Sequence, residues 1–416
     1  MDEQLSRAAR KLLAHPRARK LLACLEGAAP GATRLVGGCV RDALMNRPVA
    51  DVDAATTLLP QAVITAASAA GYKVVPTGIE HGTVTVVIEG GPVEVTTLRR
   101  DVSTDGRRAT VAYTGDWAQD AARRDFRLNS LYCDAGGTIH DPTGAGIADA
   151  LAGRIIFVGD PATRIREDAL RILRFFRFQA WYGSGEPDRA ALAACAEGAA
   201  LMDALSVERV WKELKRLLAA PDPGPAVQAM AASGVLARLL PEAVGTGLLA
   251  SLLDIETTYF LETDPMQRLM ALLPRDLTAV TALAARLKLS RAETARLEAW
   301  AGEPTRLVSW LSARAVRAGL YRMGQGLWLD RVRLAWAADP EPRRVPQWRA
   351  LMALASGYVA PKFPVTGEQV MAAGARRGPA VGTILEELEA WWIETDFTDD
   401  ELSLAERLKA LVQALG

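Results

Sequence analysis

Residues 37–56 read GGCVRDALMNRPVADVDAAT. Two glycines (Gly37, Gly38), an Arg41–Asp42 pair and two aspartates one residue apart (Asp51, Asp53) fall within this short span. Side chains two apart on a strand share a face, so a strand over residues 49–54 projects Asp51 and Asp53 side by side. Two carboxylates so placed repel, and one stays protonated unless a cation compensates. Hard divalent cations take carboxylate oxygens, and Mg²⁺ favours one or two carboxylates plus substrate phosphates. Two such ions can clamp the attacking and leaving oxygens of a phosphoryl displacement. Gly37 and Gly38 let backbone N–H groups approach a triphosphate closely, and Arg41 adds a charge-assisted donor. A solvated surface turn is the other reading that the aspartate pair alone allows.

The bulk composition leaves this chemistry open. The chain has 416 residues, which suggests about two to four domains. Lys plus Arg and Asp plus Glu both total 49, so net charge selects no partner. Cys24, Cys39, Cys133 and Cys195 form no CxxC pair, which argues against a zinc site or a disulfide framework and fits a reducing compartment. No apolar run approaches the roughly 20 residues of a membrane span. The N-terminal stretch carries Asp2 and Glu3 and no apolar core like that of a signal peptide, so a cytoplasmic protein is expected.

Short β-like runs fill the first 150 residues, at 33–36, 73–75, 83–88, 93–97, 110–113 and 130–133. TVTVVI at 83–88 and VEVTTL at 93–98 flank Gly90, Gly91 and Pro92 and read as a hairpin. Residues 61–70 read as a helix. From about Pro161 onward apolar residues recur at three and four, so the pattern is helical, interrupted at PDPGP (221–225), DPEP (339–342) and APKFP (360–364). The expected class is α+β: a mixed sheet with helices, followed by an elongated all-α arm.

GGxVRD followed by DxD resembles the polymerase-β type of nucleotidyltransferase, and in particular the class II CCA-adding tRNA nucleotidyltransferase and bacterial poly(A) polymerase family. Four further segments carry the resemblance. Glu94, in EVTTLRRD (94–101), stands where that family keeps a third acidic residue, and it alternates with Val93 and Val95. RRDFRLN (123–129) resembles the family's RRDFxxN signature, with Ser130 in place of the usual alanine. The resemblance implies that Arg123 and Arg124 meet triphosphate oxygens and that Asp125 and Asn129 hold sugar or backbone groups. DPTGAGIADALAGRI (141–155) resembles the family's DPxxGxxDL segment, with Ala150 replacing leucine. SVERVWKEL (206–214) resembles SxERxxxEL, and reads as a helix with Ser206 as N-cap and an Arg209–Glu213 pair.

RIREDALRILRFFRF (164–178) reads as a single helix on which Asp168, Arg171, Arg174 and Arg177 recur every third residue. Beside them lie Leu170, Ile172, Leu173, Phe175, Phe176 and Phe178, so such a helix suits a domain junction; a solvated basic face is the other reading. In the family this helix is the protein template, and Asp168 and Arg171 match its EDxxR pattern, with Glu167 as neighbour. A carboxylate accepts from the exocyclic amine that C and A share, and an arginine donates to the ring nitrogen. U and G would leave those groups unpaired. Arg174 and Arg177 are then expected to face the triphosphate or the primer end.

The resemblance implies a head over residues 1–155, a nucleotide-selecting neck over 156–220, a helical body over 221–360 and a tRNA-binding tail over 361–416. In the last, GARRGPAVG (374–382) sets Arg376 and Arg377 before an expected helix start, where a tRNA phosphate or a plain interhelical turn fits equally. The implied activity is template-independent addition or repair of the tRNA 3′-terminal CCA from CTP and ATP, with Mg²⁺ held by Asp51 and Asp53 and with Asp51, Asp53 and Glu94 as the catalytic carboxylates. The implied partner is the tRNA 3′ end, with neither DNA nor a membrane. A poly(A) polymerase and a partial enzyme adding only CC or only A are the neighbouring readings. A nearly full-length RRDVSTDGRRATVAY segment (99–113) argues against the CC-only enzyme, and the lack of the basic C-terminal extension expected of the poly(A) polymerases argues against that reading; the acidic stretch 394–408 is not expected to touch RNA. Two other classes fit the sequence less well. An inactive RNA-binding relative is expected to have lost Asp51 or Asp53. A metal phosphohydrolase needs clustered histidines, whereas the three here are His15, His81 and His140.

Overall fold

The computed structural model describes residues 2–89, 91–105, 108–398 and 400–415, with the side chains of 101–105 and 108–111 left aside. The chain divides into two compact units, Met1–Ala243 and Val244–Gly416.

The first unit opens with helices α1 (Asp2–Ala14) and α2 (Pro16–Ala28), then β1 (Thr33–Val36), α3 (Gly38–Leu44), β2 (Asp53–Thr56) and α4 (Pro60–Ala69). β3 (Lys73–Gly78), β4 (Thr83–Ile88) and β5 (Gly91–Thr97) follow, then the paired strands β6 (Arg99–Asp105) and β7 (Arg108–Tyr113). Helix α5 (Trp117–Ala122) and the short strands β8 (Tyr132–Cys133) and β9 (Ile139–His140) complete the sheet region. Seven strands form one sheet in the order β3-β4-β5-β2-β1-β8-β9. The β2–β5 pair is parallel and the other pairs are antiparallel. A mixed sheet with helices was the expected class.

Alternation explains how the sheet sits. Val84, Val86, Ile88, Val93 and Val95 are buried, while Glu94 between the last two is exposed. The strand at the aspartate pair is shorter than expected: it begins at Asp53, and Asp51 precedes it as an exposed residue. Residues 99–105 and 108–113 form the two-stranded β6–β7 ladder; Gly106 and Arg107 of the DGRR element lie outside the described residues, as does Gly90 of the expected turn.

Helix α6 (Gly146–Ala152) is followed by α7 (Pro161–Glu167), α8 (Leu170–Tyr182), α9 (Arg189–Glu197), α10 (Val207–Leu218), α11 (Gly224–Ala232) and α12 (Val235–Leu239). The single helix expected over 164–178 is two. Asp168 leaves the helix with φ −152° and ψ 104°, and its Oδ1 accepts from the Leu170 N–H at 3.1 Å, so the carboxylate caps the second helix locally. A ring cluster locks α8 onto the head: Phe126 lies 4.8 Å from Phe157 and 5.0 Å from Phe178, and Phe157 stacks on Phe175 at 5.9 Å between centroids.

The second unit is helical from Gly247–Thr258 to Glu401–Leu415 and has its own core, including the buried Trp328, Trp336 and Trp348. Its long helix Ala313–Ala338 breaks at Gly324, whose φ of 72° suits glycine. Arg376 and Arg377 are exposed just before the helix Pro379–Glu394, as expected. Among the described residues no helix is long and apolar enough to cross a membrane.

Candidate active site

β1 is followed by Gly37, which takes φ +73° as N-cap of α3 and sits where an added Cβ would lie 3.6 Å from Arg124 Nη1. Glycine is therefore required at this turn for backbone geometry. α3 then carries Arg41, only 5% exposed. Arg41 Nε and Nη2 donate to Asp42 Oδ1 at 2.9 and 2.8 Å, Nη1 donates to Asn129 Oδ1 at 2.6 Å, and Nη2 also reaches Tyr182 Oη at 2.8 Å. The Tyr182 ring lies 3.8 Å from the guanidinium carbon. Arg41 thus joins the glycine turn, the RRDF segment and the end of α8, and most of its donors are already committed to protein atoms.

Parallel pairing of β2 with β5 puts Asp53 opposite Glu94. Burial first, then the charges of Glu94 and Asp51, raise the Asp53 carboxyl to about 6, with Arg124 opposing. This crowding of negative charge around the Asp53 carboxyl, which is open to solvent at the start of β2, fits a site for a hard cation. Among the described residues no group of three or more His, Cys, Asp or Glu side chains is placed to hold a metal ion.

Asp120, on α5, organises the two adjacent arginines. It is 1% exposed, and its Oδ1 accepts from Arg123 Nε and Nη2 at 2.9 and 2.7 Å. Its Oδ2 accepts from Arg124 Nη2 at 2.9 Å and from Tyr132 Oη at 2.8 Å. Burial alone would raise this carboxyl, but the Arg124 and Arg123 charges hold it below the ordinary range. Asp125 accepts from Arg174 Nε at 2.9 Å, from Asn129 Nδ2 at 3.2 Å and from the Phe126 N–H at 2.8 Å. Although burial works against it, these partners pull the carboxyl down to about 2. The polar atoms of Asp125 and Asn129 thus meet protein groups.

At the helix break, Asp168 Oδ2 accepts from Arg209 Nη2 at 2.8 Å. Arg171 Nη1 donates to Glu167 Oε2 at 2.5 Å and to the Arg164 carbonyl at 2.8 Å. Arg177 Nε donates to Glu213 Oε2 at 2.6 Å. The expected Arg209–Glu213 pair is therefore replaced by two pairs that tie α10 to the 164–182 segment. Ser206 occupies the N-cap position of α10 but makes no side-chain capping bond.

These elements enclose one cavity of about 750 Å³. Of the fourteen residues expected at the site, thirteen line it: Gly37, Gly38, Arg41, Asp53, Glu94, Arg123, Arg124, Asp125, Asn129, Asp168, Arg171, Arg174 and Arg177. Asp51 does not line it, although its charge acts on Asp53. The lining also includes Arg99, Arg209 and Arg216, giving nine arginines against four carboxylates, a balance suited to a polyanion. Tyr182, Asp120 and the cavity face of Arg209 were missed from sequence. Asp120 had a readable signal, since it stands three and four residues before Arg123 and Arg124 on a helical run.

Comparison with known proteins agrees with this geometry. A family model described as "Poly A polymerase head domain" matches residues 33–156, and one described as "Probable RNA and SrmB- binding site of polymerase A" matches 186–245. The Danio rerio protein named "CCA tRNA nucleotidyltransferase 1, mitochondrial" is 33% identical over 398 residues, covering 92% of this chain and 87% of its own. A Limosilactobacillus fermentum "CCA-adding enzyme" is 32% identical, covering 91% of this chain and 93% of its own. The solved Bacillus stearothermophilus CCA-adding enzyme in complex with CTP superposes with a TM-score of 0.73 at 27% identity, covering 95% of this chain and 97% of that one. Similarity at this level over nearly the whole length places the chain in the CCA-adding tRNA nucleotidyltransferase family.

Proposed function

We propose that this protein adds or repairs the 3′-terminal CCA of tRNA, using CTP and ATP without a nucleic-acid template. The observation that carries the reading is the single cavity in which Asp53 and Glu94 share a lining with Asp168 and Arg171. Phosphoryl-transfer carboxylates and a base-reading pair can then act on one bound nucleotide.

In this reading Arg123, Arg124, Arg174 and Arg177 neutralise the triphosphate, with Asp120, Asp125 and Glu213 keeping their guanidinium groups in place. Arg41 acts chiefly as a clasp that holds the glycine turn against α8; the Gly37 N–H donates to the Leu131 carbonyl at 3.1 Å, so the Gly38 N–H at the start of α3 is the turn's donor for a phosphate oxygen. Asp168 and Arg171 read the Watson–Crick edge, and their present bonds to Arg209 and Glu167 must be exchanged for bonds to C or A. U and G cannot repay that exchange, because they present the opposite donor and acceptor pattern. The primer 3′-hydroxyl oxygen attacks the α-phosphorus, its proton passes to solvent, the bond from the α-phosphorus to the β-phosphate oxygen breaks, and pyrophosphate leaves. Asp51 and Asp53, with Glu94 beside them, would hold a divalent cation, Mg²⁺ in our assignment, which when bound lowers the pKa of the hydroxyl and offsets charge on the leaving group.

The division into head (1–155), neck (156–220), body (221–360) and tail (361–416) is our proposal for how these tasks are shared. Exposed Arg376 and Arg377 are proposed to meet a tRNA phosphate. All four cysteines are free, which supports a reducing compartment, and we assign the protein to the cytoplasm, although the Danio rerio relative is named mitochondrial.

Incorporation of each labelled nucleoside triphosphate, with Mg²⁺, on a tRNA ending before CCA and on an oligo(A) primer tests the function. Two C and one A on the tRNA, then a stop, are expected. An A-only tail would make the protein a poly(A) polymerase, C or A alone a partial enzyme, and no incorporation an inactive RNA-binding relative.

A further inference from the structure

The Val244–Gly416 unit contains a second cavity, of about 640 Å³, that shares no residue with the candidate active site. Its lining combines tryptophans with arginines, and three features of it point to a ligand.

The first feature is charge. Arg275, Arg306, Arg331 and Arg344 line the cavity, with Asp339 as its single lining carboxylate. Arg344 takes both Asp339 oxygens, at 2.8 and 2.7 Å. Arg331 is 4% exposed and donates to carbonyls, to that of Glu303 at 2.6 Å and to that of Thr305. Among the described residues no carboxylate bonds to it. Burial and then the Arg275 charge push Arg331 down to about 10, with the Glu303 charge opposing. Arg306 is exposed at the cavity and has no ion pair among the described residues.

The second is an aromatic platform. Trp310 is 61% exposed, unusual for a tryptophan, and the Arg344 guanidinium carbon sits 5.0 Å from its ring centroid. The third is an orphan donor. Trp348 is 1% exposed and its indole N–H has no hydrogen-bond partner among the described residues. Such a buried donor costs about 1–3 kcal/mol if it stays unpaired.

We propose that this cavity is a second nucleotide-binding site, taking a phosphorylated purine or pyrimidine unit. An inorganic anion would leave the tryptophans unused, and an apolar ligand would leave the arginines uncompensated. A planar ring bearing a phosphate satisfies both: the ring stacks beside Trp310 and Arg344, a ring carbonyl or nitrogen accepts from Trp348, and the phosphate meets Arg306 and Arg331. The cavity volume suits one such unit. Two sources carry this chemistry, a free nucleotide and an unpaired nucleotide of RNA. The site stands independently of the transfer reaction, because occupancy and not incorporation is read.

The test is photolabelling of the full chain with 8-azido-AMP, mapped by mass spectrometry, on the wild type, Trp310→Ala and Arg306→Glu. Both positions are exposed, and circular dichroism would check the fold. Label is expected on the peptide carrying Trp310, reduced at least about tenfold in both variants, an effect of about 1.4 kcal/mol on binding. Label confined to the active-site cavity, or unchanged at Trp310 in Arg306→Glu, would overturn the proposal. So would labelling that inorganic phosphate alone displaces as well as AMP does. Filter binding of tRNA to the same variants separates the sources. A parallel loss of tRNA affinity assigns the site to RNA, and unchanged tRNA affinity with label lost assigns it to the free nucleotide.

Discussion

Asp120 has more consequence than its sequence position suggests. One buried carboxylate holds Arg123, Arg124 and Tyr132, so Asp120→Ala strands charged donors in a poorly solvated place. Breaking such a buried pair costs about 3–5 kcal/mol. Asp120→Ala is expected to lose about that much stability in urea titrations and to raise the KM for CTP at least about tenfold, whereas Asp120→Asn keeps part of the fork and falls between. A variant with wild-type stability and KM would remove the positioning role. Asp125 makes a pH prediction. Its folded carboxyl lies at about 2, below the ordinary value, so it stabilises the fold fully above the unfolded pKa of about 4 and progressively less as pH falls toward 2. Stability measured against pH should therefore fall less steeply across this acid window in Asp125→Asn than in wild type. Identical slopes would show that the group carries no such linkage.

At the scale of elements, the ring cluster that fastens α8 to the head decides whether the two walls of the cavity stay in register. Phe126 is fully buried between Phe157 and Phe178, and Phe126→Ala is expected to cost about 3–5 kcal/mol in denaturant unfolding. A cost below about 1 kcal/mol would mean that the cluster does not hold the neck. The same region marks where sequence reasoning stopped. The hairpin of β4 and β5, the outward face of Glu94 and the arginine stripe were legible, because alternation and three-residue spacing are local signals. The break at Asp168 was not, since the run of helix-forming residues continues through it and only a side-chain cap together with Arg209 interrupts it. Arg209 itself was assigned to Glu213 at helical spacing, and tertiary pairing overrode that choice. The late start of β2 has a similar origin: register with β5 begins at Asp53, so Asp51 is left before the strand.

For the whole molecule, the division of labour follows the two units. Every residue lining the candidate active site lies between Met1 and Ala243. A fragment spanning residues 1–243 is therefore expected to bind CTP within about threefold of the full chain, a difference of about 0.7 kcal/mol, while losing affinity for tRNA. Calorimetric titration of both would check it, and a fragment that folds but ignores CTP would contradict it. We assign phosphoryl transfer and base choice to the same cavity, with protein side chains making the choice. Single-turnover incorporation of CTP, ATP, UTP and GTP by Arg171→Ala, on a tRNA ending before CCA, tests that claim most directly. In Arg171→Ala, discrimination against UTP and GTP is expected to collapse while affinity for the triphosphate moiety changes little. An unchanged preference for C and A, at whatever rate, would contradict it.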